Sequence, residues 1–542
     1  MAVIISVFLA LLVSYAGAFL NGVNTRSSLS LGRTVNLENC QRSPFQNRLS
    51  LKMSSTAVNL AEVGNDIVIL PSESGIVKIV MKFGGSSLAT PERVTYVAKL
   101  IKKHVDQGYR PMIVCSAMGK TTNSLISAGD FALSGQVYIE ALRTMHVNTI
   151  NALDLPPSTI VNIEELLGDL AKLLEGIKYI GELTPRTKDA LVSYGERMSV
   201  RIVAATLNKI GVPAQAFDSW TLGMRTTSEF GNAEVKDETY ANVKAMVGKL
   251  DTQIVPVITG FIGQDDQGRI TTLGRGGSDL TATVIGSAAG VDEIQVWKDV
   301  DGIMTADPRL VKTALPVNEV TYDEAAELAY FGAEVLHPIS MQPAIKSKIP
   351  VRVKNSYNPS AVGTTITAGR DKTDSLVTAI TSKSGVQLID IVSTRMLGQY
   401  GFLAEVFSIF NECQVSVDVV ASSDVSVSLT LDKKQRETQD IELLVSKLSK
   451  FAAVRVLEDR AIVTLISNLD RGSEVMATAF QVMEKLGITP EMFSQGASKV
   501  NISFVVQMRD REHLIKTLHA CFFEGLKWED IVPVPRRSPF QG

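Results

Sequence analysis

Cysteine is scarce and scattered in this sequence. Four cysteines stand among 542 residues, Cys40, Cys115, Cys413 and Cys521, and no two form a CxxC pair. That pattern excludes a disulfide framework and a cysteine-built zinc site, and it suits a reducing compartment. Histidine is as thin, and His104, His146, His337, His513 and His519 fall at no metal-ligand spacing. No metal site built by the protein alone is therefore expected. Neither sign of charge is in excess: 54 Lys+Arg against 57 Asp+Glu leave −3, which gives no electrostatic case for nucleic acid. The familiar nucleotide strings are missing too. Without GxxxxGK[ST], HRD or DFG the chain is neither a P-loop enzyme nor a protein kinase. Without GxGxxG after a strand, dinucleotide binding is not expected. What remains is a folded composition, 45% hydrophobic and 20% charged. The length allows about three or four domains.

The first residues stand apart. "MAVIISVFLALLVSYAGAFL" is apolar for about the length of a signal-peptide core and ends in a small-residue "AGA" at Ala18, though it lacks a basic start. The run is short for a bilayer span. Residues 19–57 carry Arg26, Arg33, Arg42, Arg48 and Lys52 against one acid, Glu38, and are rich in Ser and Asn. That is transit-peptide composition. A signal peptide (1–18) followed by a transit stretch and linker (19–70) resembles the two-part leaders of algae with secondary plastids. The expected address is the plastid stroma, with no membrane partner once the leader is removed.

From Val77 to about Ile366, short apolar strands alternate with helical patterns: "IVKIVMKF", "RPMIVCSAM", "DTQIVPVITGFIG", "VDEIQVWKDV", "KIPVRVKNS". Alternation predicts an α/β domain, a mainly parallel sheet with helices on both faces, over residues 76–370. Such sheets bind ligands at the carboxyl ends of their strands. After "GTTITAGRDKTDS" two segments follow, each reading strand, helix, strand, strand, helix, with an echo between "VVASSDVSVSLTL" and "FSQGASKVNISFVV". The repeat predicts two small α+β modules, 385–455 and 459–535, stacked on each other and serving ligand sensing and assembly.

Chemistry concentrates in the α/β part. "IVKIVMKF" delivers Lys82 into Gly84-Gly85-Ser86-Ser87, and "PERVTYVAKLIKKHV" then has helical spacing with Pro91 near its start. Strand, glycine turn and helix aim backbone N–H groups at an anion, and a lysine adds a point charge. "CSAMGKTTN" brings Ser116, Lys120 and Thr122 to a strand end, and "SYGERMSVRI" sets Glu196 and Arg197 on an expected N-terminal helical turn. "TLGRGGSDLTATVIG" places Arg275 among glycines and Asp279 just inside a helix; "WKDVDGIMTADPR" gathers Lys298, Asp299, Asp301, Asp307 and Arg309 around one glycine. Lysine, arginine and bare backbone suit polyphosphate and carboxylate, while interspersed acids suit magnesium or a substrate ammonium. The set is what phosphoryl transfer needs, where catalysis is mostly positioning and charge stabilisation.

"KFGGSS", "CSAMGKTTN", "SYGERMS", "GRGGSDLTA", "WKDVDGIMTADPR" and "FGAEVLHP" resemble the serial motifs of the aspartate kinases, within the amino-acid kinase family. "STRMLGQYGFLAEVFSIF", "VSVDVVASSDVSVSLTLD" and "FSQGASKVNIS" resemble the paired ACT domains of that family. The likeness spans nearly all of residues 77–525 and is nearest to monofunctional plant-type members. It implies phosphorylation of the β-carboxylate of L-aspartate by MgATP, the first step toward lysine, threonine, methionine and isoleucine.

By that resemblance Lys82 and Asp279 are the catalytic pair, and Gly84, Gly85 and Ser86 cradle the phosphates. Lys298, Asp299, Met304 and Arg309 belong to the nucleotide loop. Ser116, Thr122 and Glu196 face aspartate, with Glu196 suited to its α-ammonium, and Arg275 clamps the α-carboxylate. One position departs: some bacterial members carry lysine where Glu334 stands, so that nucleotide contact is not carried over. His337 beside Pro338 reads as structural. The ACT pair implies feedback control by lysine at a homodimer interface, through "MLGQYGFLAEV" with Met396, Gln399, Phe402 and Leu403, opposite Asp418. Asp418 is the acid available for a lysine ammonium. S-adenosylmethionine is a synergist in some plant relatives, and no residue here bears on it. Two rivals stay open from the residues alone, a glutamate- or acetylglutamate-type kinase and a catalytically dead ACT sensor.

Overall fold

The computed structural model describes residues 60–63, 66–69, 76–333, 336–370, 375–393, 401–423, 425–432, 441–467, 469–495 and 500–534. Within the stretch assigned to leader and linker, Leu60–Val63 and Asp66–Ile69 pair as an antiparallel hairpin.

The α/β part is built on an eight-stranded sheet in the order Glu319–Thr321, Thr364–Thr367, Val351–Asn355, Glu293–Lys298, Lys78–Phe83, Arg110–Cys115, Val255–Thr259, Ala214–Phe217. Every neighbouring pair is parallel except Val351–Asn355 with Thr364–Thr367. Side chains alternate between two cores, as the pleat requires. Ile79, Met81, Phe83, Ile113 and Cys115 face one core; Val80, Met112, Val114, Ile294 and Val296 face the other. Both faces are covered, so the strands read as unbroken apolar runs rather than alternating ones.

The helices form where sequence spacing puts them. Pro91–Asp106 starts on proline, is capped by Thr90, whose side chain accepts from the Arg93 N–H, and buries Val94, Val97, Ala98 and Ile101 on one face. Pro185–Lys209 starts the same way, with Thr184 as cap. Among the described residues no helix is long and apolar enough to cross a membrane.

Beyond Thr367 lies a single antiparallel sheet of six strands: Val420–Ser422, Ser426–Asp432, Val377–Val392, Ala453–Ser467, Asn501–Gln507, Met492–Gln495. The expectation of two consecutive units needs correcting here. Val377–Val392 and Ala453–Ser467 pair along both halves of the sheet, with register breaks around Ser384, Val386 and Leu388 and Gly385 at φ +70° between them. That bulged bend lets one strand serve two cores. Val377 and Ile380 join Val463, Leu465 and Leu514, whereas Ile389 and Ile391 join Phe402, Val406 and Leu444. The second module thus takes residues 377–384 from before the first, and the first is inserted within it.

Candidate active site

Three strands of the sheet, Lys78–Phe83, Arg110–Cys115 and Val255–Thr259, bring their carboxyl ends to one cavity of about 420 Å³, lined by Lys82, Gly85, Ser116, Ala117, Gly119, Thr122, Asn123, Glu196, Phe261, Gly274, Gly276, Gly277, Ser278 and Asp279. Lys82 is the penultimate residue of Lys78–Phe83, in register between Val114 and Val296. Its parity matches Val80, so the stem faces helix Gly277–Ala289, which begins at the cavity. Lys82 Nζ lies 2.7 Å from Asp279 Oδ1, and the two side chains are only 9% and 8% exposed. The approach is off hydrogen-bond geometry, leaving Oδ1 without a directed donor. Lys298, the last residue of Glu293–Lys298, puts its Nζ 3.9 Å from Asp279 Oδ2. Two lysines thus converge on one acid in the first turn of a helix, where the helix dipole also favours negative charge.

The phosphate-cradle turn is tight. A β-carbon on Gly85 would stand 2.9 Å from the Ala117 carbonyl oxygen and 3.0 Å from that of Gly119. The Gly119 N–H donates to Gly85 O at 3.0 Å, tying this turn to the start of helix Thr121–Leu133. Ser86 is exposed, and its carbonyl accepts from Tyr357 O–H at 3.1 Å. Ser87 shares a hydrogen bond with Ser356, to which Arg93 also donates. Gly276, at φ +73°, caps helix Gly277–Ala289, and a β-carbon there would lie 2.7 Å from His337 Cβ. His337 therefore packs beneath the loop, a structural place.

On the opposite wall Glu196 is 2% exposed. Its Oε1 accepts from the Ala117 N–H at 3.2 Å, and Oε2 has no partner. Burial pushes its carboxyl up to about 8, against a lowering by the Ala117 N–H. The expected N-terminal turn is corrected: Glu196 sits mid-way along Pro185–Lys209, because capped Pro185 starts the helix eleven residues earlier. Ser116 Oγ donates to Ser278 Oγ at 3.0 Å, and Thr122 faces the cavity beside them. Arg275 is exposed in the turn between Gly274 and Gly276.

Asp299, Met304 and Arg309 stand outside this lining, on the loop running on from Lys298. Asp299 is exposed, Met304 pairs with Pro316, and Arg309 meets Asp307 at 2.8 Å. Among the described residues no group of three or more His, Cys, Asp or Glu could hold a metal by itself.

Sequence reasoning missed several contributors. Asn123 and Ser278 lay inside quoted motifs. Phe261, at φ +69°, follows a strand end in "ITGFIG". Asp189 had no motif: it accepts from the Gly231 N–H, the Thr272 N–H and the Thr272 hydroxyl, fixing the base of the Arg275 loop.

In the regulatory part, Met396, Gln399 and, elsewhere, Glu334 lie outside the described residues. Phe402 is a core residue set edge-on to Phe451, and Leu403 beside it is 42% exposed. Asp418 accepts from Lys383 Nζ at 2.8 Å and Tyr330 O–H at 3.1 Å. The acid expected to be available for an effector ammonium already holds a cation.

Residues 77–355 match the amino acid kinase family and 466–522 match the ACT domain. The chain is 49% identical over 492 residues to chloroplastic aspartokinase 1 of Arabidopsis thaliana, covering 88% of this chain and 85% of that one. It is 36% identical to lysine-sensitive aspartokinase 3 of Escherichia coli, covering 82% and 99%. The chain belongs to the aspartokinases.

Aspartokinase structures superpose on the described architecture. The E. coli aspartokinase III complex with lysine and aspartate gives a TM-score of 0.70 at 34% identity, and that with aspartate and ADP gives 0.67. Both cover 82% of this chain and 99% of the other. Membership selects aspartate kinase over glutamate- and acetylglutamate-type rivals, and an enzyme over a dead sensor.

Proposed function

We propose that this aspartokinase transfers the γ-phosphoryl of MgATP to the β-carboxylate of L-aspartate within the Lys82–Asp279 cavity. The observation that carries the reading is the buried lysine, 2.7 Å from a buried aspartate at a helix N-terminus on the carboxyl edge of the sheet. A β-carboxylate oxygen forms the new bond to phosphorus as the bond to the ADP oxygen breaks. The nucleophile is already ionised at neutral pH, so no general base is required. The demand falls on positioning and on charge spread over the transferring oxygens. Lys82 and the bare backbone of Gly84, Gly85 and Ser86 meet that charge, and Asp279 holds Lys82 in place. Magnesium would neutralise phosphate charge, and the Asp279 carboxylate on the cavity lining would suit its coordination.

Glu196 Oε2, buried without a partner, suits the α-ammonium of aspartate. Arg275, exposed at the rim, suits the α-carboxylate. Ser116 and Thr122 complete the substrate side, and Lys298, Asp299, Met304 and Arg309 the nucleotide side. Lysine is the effector of the E. coli relative by name, and the inserted first module is proposed as its site here. Asp418 then serves at the joint to the catalytic domain, with Leu403 and the Gly401 turn nearer the ligand. Leu403, Phe407 and Val420, at 42%, 39% and 41% exposure, suit contact with a second copy. The two-part leader and the chloroplastic relatives support a plastid address.

A hydroxamate assay with aspartate and MgATP, on protein starting near Ala57, tests the reaction. Acyl phosphate trapped with aspartate and not with glutamate supports it; trapping with glutamate alone overturns it.

A further inference from the structure

The loop that follows Lys298 does not end in the catalytic domain. Thr305, one residue past Met304, is 6% exposed and is bonded on every polar atom. Its N–H donates to Leu315 O at 2.8 Å, and its carbonyl accepts from the Ile380 N–H at 2.7 Å. Its hydroxyl oxygen accepts from the Leu315 N–H at 2.9 Å and lies 2.9 Å from Nε2 of His519. Ile380 and His519 both belong to the second regulatory module, one on strand Val377–Val392 and the other on helix Arg511–Phe523.

His519 is wholly buried, its ring tilted 33° to that of Phe523 with centroids 4.8 Å apart, and its Nδ1 lies 2.8 Å from Glu524 Oε1. That carboxylate also accepts from the Thr313 hydroxyl at 2.6 Å. One proton arrangement satisfies the whole set. The Thr305 hydroxyl, already accepting from Leu315, donates to Nε2, and Nδ1–H donates to Glu524. A second observation is independent of these bonds. Ala306 and Val311 are members of the apolar core that also holds Val377, Ile380, Leu514, Ile515 and Leu518. The arm 305–315 is thus folded into the second module rather than onto the kinase sheet.

We propose that His519 is a positioning residue for nucleotide binding: through Thr305 it fixes the far end of the 298–304 loop, making ATP affinity depend on the last helix of the second module. The inference rests on the proposed assignment of Lys298 and Met304 to the nucleotide side. It differs from feedback inhibition, since it acts with no effector present and through the module that encloses the effector-binding one.

The test uses steady-state kinetics of the whole enzyme without lysine. His519→Gln keeps an acceptor where Nε2 stands, and His519→Asn keeps the Glu524 contact while losing Thr305. His519→Asn and Thr305→Val should raise the KM for ATP about three- to tenfold, the worth of one buried hydrogen bond. The KM for aspartate and kcat should stay within about twofold, and His519→Gln should lie near wild type. Thr305→Val is near-isosteric, so its split is readable even where the histidine variants fold poorly. Equal changes in both KM values, or an unchanged KM for ATP in Thr305→Val, would overturn the proposal. Lys298→Ala separates the two layers. If it leaves the KM for ATP unchanged, the loop assignment fails. If it raises that KM while Thr305→Val does not, the positioning role fails alone.

Discussion

Lys383 and Asp418 form an ion pair at 2.8 Å, on side chains 16% and 6% exposed, and Tyr330 of the catalytic domain donates to the same carboxylate. Tyr330 ends helix Tyr322–Tyr330. That helix packs on Pro338–Ser347, which lies along Gly277–Ala289, the helix that carries Asp279. Contact is therefore continuous from the first module to the Lys82–Asp279 pair.

Asp418→Ala should accordingly uncouple lysine from turnover. The half-inhibitory lysine concentration should rise about tenfold, within an ordinary coupling energy of about 1–3 kcal/mol, with kcat within about twofold. Tyr330→Phe should move it in the same direction by less. Inhibition titrations with lysine and threonine check this. Unchanged lysine sensitivity in Asp418→Ala, or inhibition of wild type by threonine alone, refutes it.

Glu196 predicts a pH signature. With its carboxyl pushed up to about 8 by burial, the free enzyme holds it protonated at neutral pH. An α-ammonium prefers the ionised form, so kcat/KM for aspartate should rise with pH and level off above about 8. Glu196→Gln should flatten that limb and raise the KM for aspartate. Stability runs the other way. The folded-state value lies above the unfolded one near 4.5, so the native state holds the extra proton between them. Its contribution is full below about 4.5 and is lost as pH rises through about 8. The wild-type Tm should fall across that window more than that of Glu196→Gln, as calorimetry at matched ionic strength would read.

Gly85→Ala tests the cradle without a backbone penalty, because Gly85 has φ −60°. The added methyl meets two carbonyl oxygens, of Ala117 and Gly119, which belong to backbone and cannot rotate away. The turn and the start of helix Thr121–Leu133 must part. Expected is a KM for ATP raised about tenfold or more with Tm within a few degrees. A variant with wild-type ATP kinetics would show the close approach to be irrelevant.

Residues 1–70 fused to a fluorescent protein should reach the plastid of an alga with a secondary plastid. Retention in the secretory pathway contradicts the leader assignment.

The catalytic core was readable because its signals are local. Lys82, the glycine turns and Arg275 stand at strand ends that β-branched runs announce, and parity alone puts Lys82 beside Val80. What was not readable depends on distant partners. Lys383 claims Asp418 from 35 residues away, and His519 meets Thr305 from 214 away. Asp189 has no motif because its work is to accept three hydrogen bonds from other loops. The insertion of one module in the other depends on the bend at Gly385, which looks like any turn between two strands. The motif around Glu196 suggests a helix start, whereas Pro185, capped by Thr184, begins that helix eleven residues earlier.

Lys82 is proposed to stabilise charge that develops only during transfer. Single-turnover and steady-state hydroxamate assays on Lys82→Met, with aspartate and MgATP saturating, test it most directly. For Lys82→Met, kcat should be lower by about 100-fold or more with both KM values within a few-fold. A variant with wild-type kcat and a raised KM for ATP would contradict it, leaving Lys82 a binding residue only.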